Sequence, residues 1–378
     1  MIPLSLYIHI PWCVRKCPYC DFNSHQAPEA LPEKAYIEAL LKDFEADIKL
    51  ANGRPISTIF IGGGTPSLFT AESIDQLLQG INKISPLADD TEITLEANPG
   101  TFEQQRFTDF RKAGINRLSI GIQSFNSSHL KALGRIHDGD EALVAADIAR
   151  QAGFDNFNLD LMFGLPEQST EDALSDLQQA IDCNPTHLSW YQLTLEPNTL
   201  FHNQPPKKLP DHEALWDMQQ AGQQLLSAEQ YQQYEVSAYS RTGKQCQHNR
   251  NYWEFGDYIG IGAGAHGKIT NAQGTITRTT KFRQPKQYLD QAEKNLFYSS
   301  TTDLNVNDLP FEFMLNALRL KTGVNSDFYE QRTGQPLSSI QATLDDAQRS
   351  NLIHLDGQNI SCTEQGWRFL DNTLTLFL

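Results

Sequence analysis

Six short runs rich in β-branched and aromatic residues punctuate the first half of the chain: LSLYIHI (4–10), STIFIGG (57–63), EITLEAN (92–98), RLSIGIQ (117–123), FNLDLMF (157–163) and HLSWYQL (187–193). Between them lie longer polar stretches whose apolar residues recur at three and four, such as AYIEALLKDFEADIKL (35–50) and AESIDQLLQGINKI (71–84). That spacing is helical, whereas the short apolar runs read as strands buried on both faces. Repeated β-α alternation predicts an α/β fold with a parallel sheet and crossover helices. Six such units in a row are enough to curl towards a barrel, so the expected architecture is a partial (β/α)6 TIM-like barrel. Polar residues gather at the C-terminal ends of the strands: Gly62 to Thr65 after the second, Glu96 and Asn98 on the third, Gln123 and Ser124 on the fourth, and Asp160 on the fifth. Parallel folds place their chemistry at that end.

Past residue 200 the alternation gives way to a proline-rich connection, FHNQPPKKLPDHE (201–213), a helix around Leu215 to Leu226, and a glycine-rich passage, QHNRNYWEFGDYIGIGAGAHG (247–267). From about residue 303 the pattern changes again. LPFEFMLNALRL (309–320) and SSIQATLDDAQRSNLI (338–353) predict helices, and a hairpin turns at Asp356 and Gly357. This segment reads as a small winged-helix-like module. The chain therefore divides into residues 1–300, a barrel with its extension, and residues 301–378.

Charge narrows the choice of partner. The 378 residues carry 30 Lys and Arg against 46 Asp and Glu, a net charge of -16. A surface that follows a phosphate backbone needs clustered cations, so nucleic acid is not expected as a partner. The C-terminal module also lacks a cationic run, which makes a structural or docking role the reading for its winged-helix-like shape. No basic segment precedes the apolar start, and the first cations, Arg15 and Lys16, follow Cys13, so no signal peptide is read there. No stretch approaches the roughly 18 consecutive apolar residues of a spanning helix, and the expected location is the cytoplasm.

Six cysteines are too few for a disulfide scaffold in a chain of this length. Cys13, Cys17 and Cys20 crowd together in CVRKCPYC, while Cys183, Cys246 and Cys362 stand alone. In a reducing compartment such a cluster reads as metal or redox chemistry. Three thiolates can hold three irons of a four-iron cluster and leave the fourth iron open. A zinc site with His9 as fourth ligand, or three unligated thiols, are the alternatives. His9 lies within a strand between Ile8 and Ile10, so its side chain should project differently from the loop cysteines.

CxxxCxxC with Tyr19 before the last cysteine, followed by GGGTP after the second strand, resembles the radical S-adenosylmethionine superfamily. The resemblance implies a [4Fe-4S] cluster on Cys13, Cys17 and Cys20, with S-adenosyl-L-methionine bound at the open iron and cleaved by one electron to a 5'-deoxyadenosyl radical. Over nearly the whole chain, YIHIPWC, IGGGTPS, LEANPG, RLSIGIQSF, LGRIH and NLDLMFGLP are similar, in order and spacing, to the oxygen-independent coproporphyrinogen III oxidase family. Carried over position by position, its S-adenosylmethionine contacts fall on Tyr7, Tyr19, Gly63, Gly64, Thr65, Glu96, Gln123, Arg135 and Asp160. Glu96 and Asp160 sit among leucines and would be costly if buried unpaired, and two carboxylates with Gln123 at one rim suit ribose hydroxyls and an ammonium. A buried salt bridge is their alternative, and a surface position is the alternative for Arg135 in the polar segment KALGRIHDGDE.

Two departures separate the chain from the oxidases. Phe22 stands where they carry a further cysteine, and only a dozen residues precede Cys13. One feature points elsewhere: His248 to Trp253 read HNRNYW, which matches the HNxxYW motif of the HemW-type haem chaperones. Those proteins resemble the oxidases but bind haem and deliver it to respiratory proteins, and the motif's histidine is implicated in haem binding. The resemblance thus implies haem as a ligand, with recipient haem proteins, membrane-associated ones among them, as partners. His248 is the candidate axial ligand with Tyr252 and Trp253 to stack on the porphyrin, and Cys246 and His266 are the competing ligands. The rival reading is an enzyme, a coproporphyrinogen III oxidase.

Overall fold

In the computed structural model, which describes residues 1–99 and 104–378, each of the six apolar runs is a strand: β1 (Leu4–Ile10), β2 (Ile56–Gly63), β3 (Glu92–Ala97), β4 (Arg117–Gln123), β5 (Phe157–Phe163) and β6 (His187–Gln192). Neighbours in sequence are neighbours in space, all parallel. The crossovers carry α1 (Glu33–Asp47), α2 (Ala71–Ile84), α3 (Gln104–Lys112), α4 (Gly139–Gln151) and α5 (Thr170–Asp182). Local chemistry fixes where these helices start. The Thr70 hydroxyl accepts from the Ser73 amide ahead of α2, and reciprocal capping boxes, Asp138 with Glu141 and Ser169 with Asp172, open α4 and α5. In β1 and β5 six of seven side chains are buried, because the sheet is covered on both faces. The last glycine of LEANPG, Gly100, lies outside the described residues.

The sheet curls but stays open, and it is larger than six strands. Beyond β6 the chain adds α6 (His212–Ala228) and the short antiparallel strands β7 (Gln232–Gln233) and β8 (Ala238–Ser240). After α7 (Gln247–Trp253) it returns to the opposite edge as β9 (Asp257–Ile261), parallel to β1, and continues antiparallel through β10 (His266–Thr270), β11 (Ile276–Lys281) and, past α8 (Pro285–Ala292), β12 (Tyr298–Asp303). The order is β12-β11-β10-β9-β1-β2-β3-β4-β5-β6-β8-β7. The glycine-rich passage thus hides two strands. Glycine is needed there because a Cβ on Gly260 would lie 1.9 Å from the His266 carbonyl oxygen. Edge strand β12, YSSTTD, is almost wholly exposed and polar, which blunts an edge that could otherwise template aggregation.

The C-terminal region is helical around a small sheet: α9 (Leu309–Ala317), β13 (Val324–Asn325), α10 (Asp327–Thr333), α11 (Gln341–Arg349) and the hairpin β14 (Ile353–Asp356) and β15 (Asn359–Cys362), ordered β13-β15-β14. Its core of Phe313, Met314, Leu344, Ile353 and Ile360 is distinct from the main one, yet it takes in Tyr234, Phe255 and Ile276. The module is therefore seated on the residues that frame α7 and β11.

Buried charge fastens the added strands to the parallel sheet. Lys281 at the end of β11 is fully buried, with Nζ 2.6 Å from Asp43 and 2.8 Å from Asp47 of α1. Tyr288 and the Gly262 amide also donate to Asp43. Burial raises the Asp43 carboxyl to about 6 even though Lys281 acts to lower it. Removing one partner of such a group leaves uncompensated charge in the interior. Lys281→Met is expected to cost about 3–5 kcal/mol in urea unfolding at pH 7.5. The loss should shrink at pH 5.5, since without the cation the Asp43 carboxylate binds a proton more readily in the folded chain, and acid then favours that state.

Candidate functional site

The cysteine loop begins where β1 ends, and it is held by the loop that leaves β2. The Gly64 amide donates to the Ile10 carbonyl and the Thr65 amide to the Trp12 carbonyl, both at 2.7 Å. A Cβ on Gly64 would meet the Trp12 carbonyl oxygen at 2.5 Å. Gly63 sits at φ +117°, and a Cβ there would strike the His9 ring at 2.5 Å. The glycine run is therefore demanded by close backbone approach. Within the loop the Cys20 amide donates to the Cys17 carbonyl, and Cys13, Cys17 and Cys20 all remain partly accessible.

These three cysteines border a cavity of about 290 Å³ over the C-terminal ends of the parallel strands. The same cavity is lined by Tyr19, Gly63, Gly64, Thr65, Glu96, Gln123, Arg135 and Asp160. Tyr7 faces an adjoining cavity instead, its hydroxyl 2.9 Å from His9 Nδ1. Among the described residues no three His, Cys, Asp or Glu side chains gather closely enough to hold a single ion. The cysteines surround a space, which fits a multi-iron body better than one zinc. His9 does not complete a zinc set: both ring nitrogens are engaged, with the Tyr7 hydroxyl and the Asn23 carbonyl.

Inside the cavity the polar groups are tightly arranged. Glu96 accepts from the Gly63 amide at 3.0 Å, and burial, then the nearby Asp160 charge, raise its carboxyl to about 7. Asp160 accepts from Ser119 at 2.9 Å and Asn158 at 2.8 Å, and burial still raises it above the usual carboxylate range. Gln123, at φ +69° where the β4–β5 register slips, accepts from the Tyr191 hydroxyl at 2.8 Å. Arg135 is not a surface cation: its guanidinium donates to Asn98 at 2.8 Å and to the Gly121 carbonyl at 2.7 Å, and approaches Cys17 Sγ at 3.7 Å. Asn98 in turn donates to Thr65 at 2.9 Å, so Arg135, Asn98 and Thr65 form one chain beside the cysteines.

Sequence reasoning assigned no role to Asn98, Ser119, Asn158 or Tyr191. Asn98 was legible as a polar strand end, but Tyr191 sits in a run whose apolar character says only strand.

HNRNYW forms α7, packed against β1, β2 and β9. His248 points inward, 1% exposed, towards the N-terminal ends of β1 and β2 and away from the cysteines. Its Nδ1 lies 2.8 Å from Thr58 Oγ1 and its Nε2 2.9 Å from the Tyr252 hydroxyl, so both ring nitrogens are occupied. Burial, then the Arg117 charge, lower its pKa to about 3. Cys246 is equally enclosed, its thiol near Glu92 and pushed up to about 11 by burial. Tyr252, Trp253 and His266, by contrast, line the adjoining cavity with Tyr7.

Residues 7–180 match the family described as the Radical SAM superfamily, and residues 304–369 match the HemN C-terminal domain. The chain is 53% identical over 376 residues to the heme chaperone HemW of Escherichia coli (strain K12), spanning 100% of this chain and 98% of the relative. It is 34% identical over 368 residues to the heme chaperone HemW of Bacillus subtilis (strain 168), spanning 96% of each. Among solved structures, the coproporphyrinogen III oxidase (HemN) of Escherichia coli aligns with a TM-score of 0.84 over 100% of this chain and 90% of that one, at 24% identity, a likeness of fold. With a parallel sheet whose strand ends carry CxxxCxxC, the glycine loop and two half-buried carboxylates around one cavity, and with relatives alike from end to end, the chain belongs to the radical SAM superfamily and, within it, to the heme chaperone HemW family.

Proposed function

We propose that the protein is a haem chaperone: it binds haem, carries a [4Fe-4S] cluster on Cys13, Cys17 and Cys20, binds S-adenosylmethionine beside it, and hands haem to respiratory haem proteins. The observation that carries this reading is the convergence on one cavity of three cysteines, the glycine loop, Glu96, Asp160 and Arg135, in a chain whose near relatives are named haem chaperones. When bound, the cluster supplies one electron to split a sulfonium. The chain's own residues hold and orient. Glu96 presents a carboxylate for an ammonium, Asp160 and Gln123 present acceptors for ribose hydroxyls, and the backbone at Gly63, Gly64 and Thr65 allows close approach. Tyr19 and Arg135 close the floor beside Cys17, and Tyr7 stands at the border with the adjoining cavity.

HNRNYW supports the haem side of the reading through Tyr252 and Trp253, which face that cavity, and through His248, bonded to Tyr252. As a direct ligand, His248 would have to give up two hydrogen bonds and its burial. We read residues 1–300 as the radical SAM unit with its extension and residues 301–378 as the appended module. No helix among the described residues is long and apolar enough to cross a membrane. Separately, in keeping with the sequence reading, we propose a cytoplasmic location.

Cluster-reconstituted protein is expected to bind one hemin per chain, to transfer it to a haem-free haem protein, and to leave coproporphyrinogen III unchanged. Turnover of coproporphyrinogen III without hemin binding would replace the chaperone with the oxidase. Iron and sulfide analysis after anaerobic reconstitution should show the cluster lost in Cys13→Ala, Cys17→Ala and Cys20→Ala and retained in Cys183→Ala and Cys362→Ala. Equal loss in Cys183→Ala would refute the ligand set. In protein free of cluster and nucleoside, Glu96 has its pKa raised from 4.5 to about 7, so the folded chain holds an extra proton between those values and ionisation costs stability as pH rises. Glu96→Gln removes that cost. Its stability advantage over the parent in urea unfolding is expected to widen by about 2 kcal/mol from pH 5 to pH 8, and a constant difference would mean that Glu96 is ionised throughout.

A further inference from the structure

The adjoining cavity holds about 570 Å³, within the roughly 300–1,000 Å³ of pockets that enclose small organic ligands. Neither the cluster cysteines nor Glu96 and Asp160 reach it. Its walls come from β1, the stretch after Cys20, the end of α7, strands β9 to β11, and Asn316 of α9. Six aromatic side chains line it, Tyr7, Phe22, Tyr252, Trp253, Phe255 and Tyr258, and Phe22 also borders the cysteine cavity, so the two spaces share a wall. Phe22 is 60% exposed, an apolar ring left uncovered between two cavities.

Its charged groups are unequal. Arg278 is committed, donating to the Tyr258 hydroxyl at 3.0 Å and pairing with Glu312 of α9. Arg283 is exposed, and its guanidinium has no side-chain partner among the described residues. The imidazoles also differ. His9 has both ring nitrogens engaged, and His248 lies behind Tyr252 with both of its own engaged. His266 is exposed at the start of β10. Its Nδ1 lies 3.4 Å from Thr280 Oγ1, and its Nε2 is without a partner among the described residues.

Aromatic walls, a free cation and an imidazole with one unpartnered nitrogen are what a flat apolar macrocycle with carboxylate arms and a coordinating metal requires. Resting on the haem-binding reading, we propose that haem sits in this second cavity, with His266 rather than His248 as the protein ligand to its iron and Arg283 as the partner of a propionate.

The test titrates hemin into the full-length parent and into His266→Ala, His248→Gln and Arg283→Ala, following the Soret band. His266→Ala is expected to shift the band and weaken binding at least tenfold, and free imidazole in the buffer should restore the band. His248→Gln should keep the parent's band position. Arg283→Ala should weaken hemin severalfold while leaving the affinity for hemin dimethyl ester, which has no free carboxylates, unchanged. A parent-like band and affinity in His266→Ala overturn the proposal, as does equal weakening of ester and acid by Arg283→Ala. Failure of the parent to bind hemin at one per chain would instead remove the haem-binding reading on which the proposal rests.

Discussion

Two backbone hydrogen bonds, from the Gly64 amide to Ile10 and from the Thr65 amide to Trp12, tie the cysteine loop to the glycine loop, and the geometry of the site is measured from them. They extend the β1–β2 ladder past the end of the strands, so the loop that carries three thiols leaves the sheet in a fixed direction. Glycine at 64 is the steric condition for that approach, and glycine at 63 clears the His9 ring. Glu96 then reads the same loop from β3 by accepting from the Gly63 amide, and Asn98 reads it through Thr65, bringing Arg135 to Cys17. Glu96, Asn98 and the Arg135 guanidinium are thus referenced to one short stretch of backbone, which is how separate crossovers deliver groups to the same cavity.

The two ends of the sheet are connected through its interior. From Asp160 the path runs through Asn158 to His187 at 2.6 Å, on to the Tyr234 hydroxyl at 2.9 Å, and to the Cys246 amide that opens α7. Glu92, at the start of β3, accepts from the Gln247 and His248 amides, placing a carboxylate at the N-terminus of α7. Arg117 is buried among these groups, 2% exposed, and its charge acts to lower the Cys246 pKa against the larger effect of burial. HNRNYW is therefore part of a polar core that begins under the cysteine-bordered cavity, although its histidine and the cysteines are at opposite ends of the strands.

The six parallel strands were legible because being buried on both faces leaves an apolar run that few other structures produce, and their observed ends differ from the expected ones by about a residue. The cysteines, glycine loop and strand-end carboxylates were legible because polar residues among leucines must have a reason. Strands β9 to β12 were not: β9 carries Gly260 where β10 crosses it closely and lies in a glycine-rich passage, and β12 has an exposed polar face, so neither shows the expected pattern. For Arg135 a surface position stayed open beside the cofactor contact because its neighbours are polar, and the fold turns it inward against Gly121 and Asn98. For His248 the residue type was legible but its direction was not. An imidazole aimed at Thr58 and one aimed at a ligand have the same one-letter code, and the choice depends on pairings 190 residues apart.

The strand order also sets a timetable for synthesis. β1 lies between β2 and β9, so one flank is covered about fifty residues after β1 leaves the ribosome and the other only some two hundred and fifty residues later. Until then, a strand of seven nearly all-apolar residues keeps an unpaired edge, the kind of surface that joins with other nascent chains. The cysteine loop emerges early as well, while the last wall of its cavity, Tyr191 on β6, and the Lys281 clamp that secures the late strands to α1 come from much further along. Cysteines that wait unshielded through most of translation are exposed to oxidation in the meantime, so the order of the strands makes the speed and protection of the growing chain part of what decides whether the site is ever assembled.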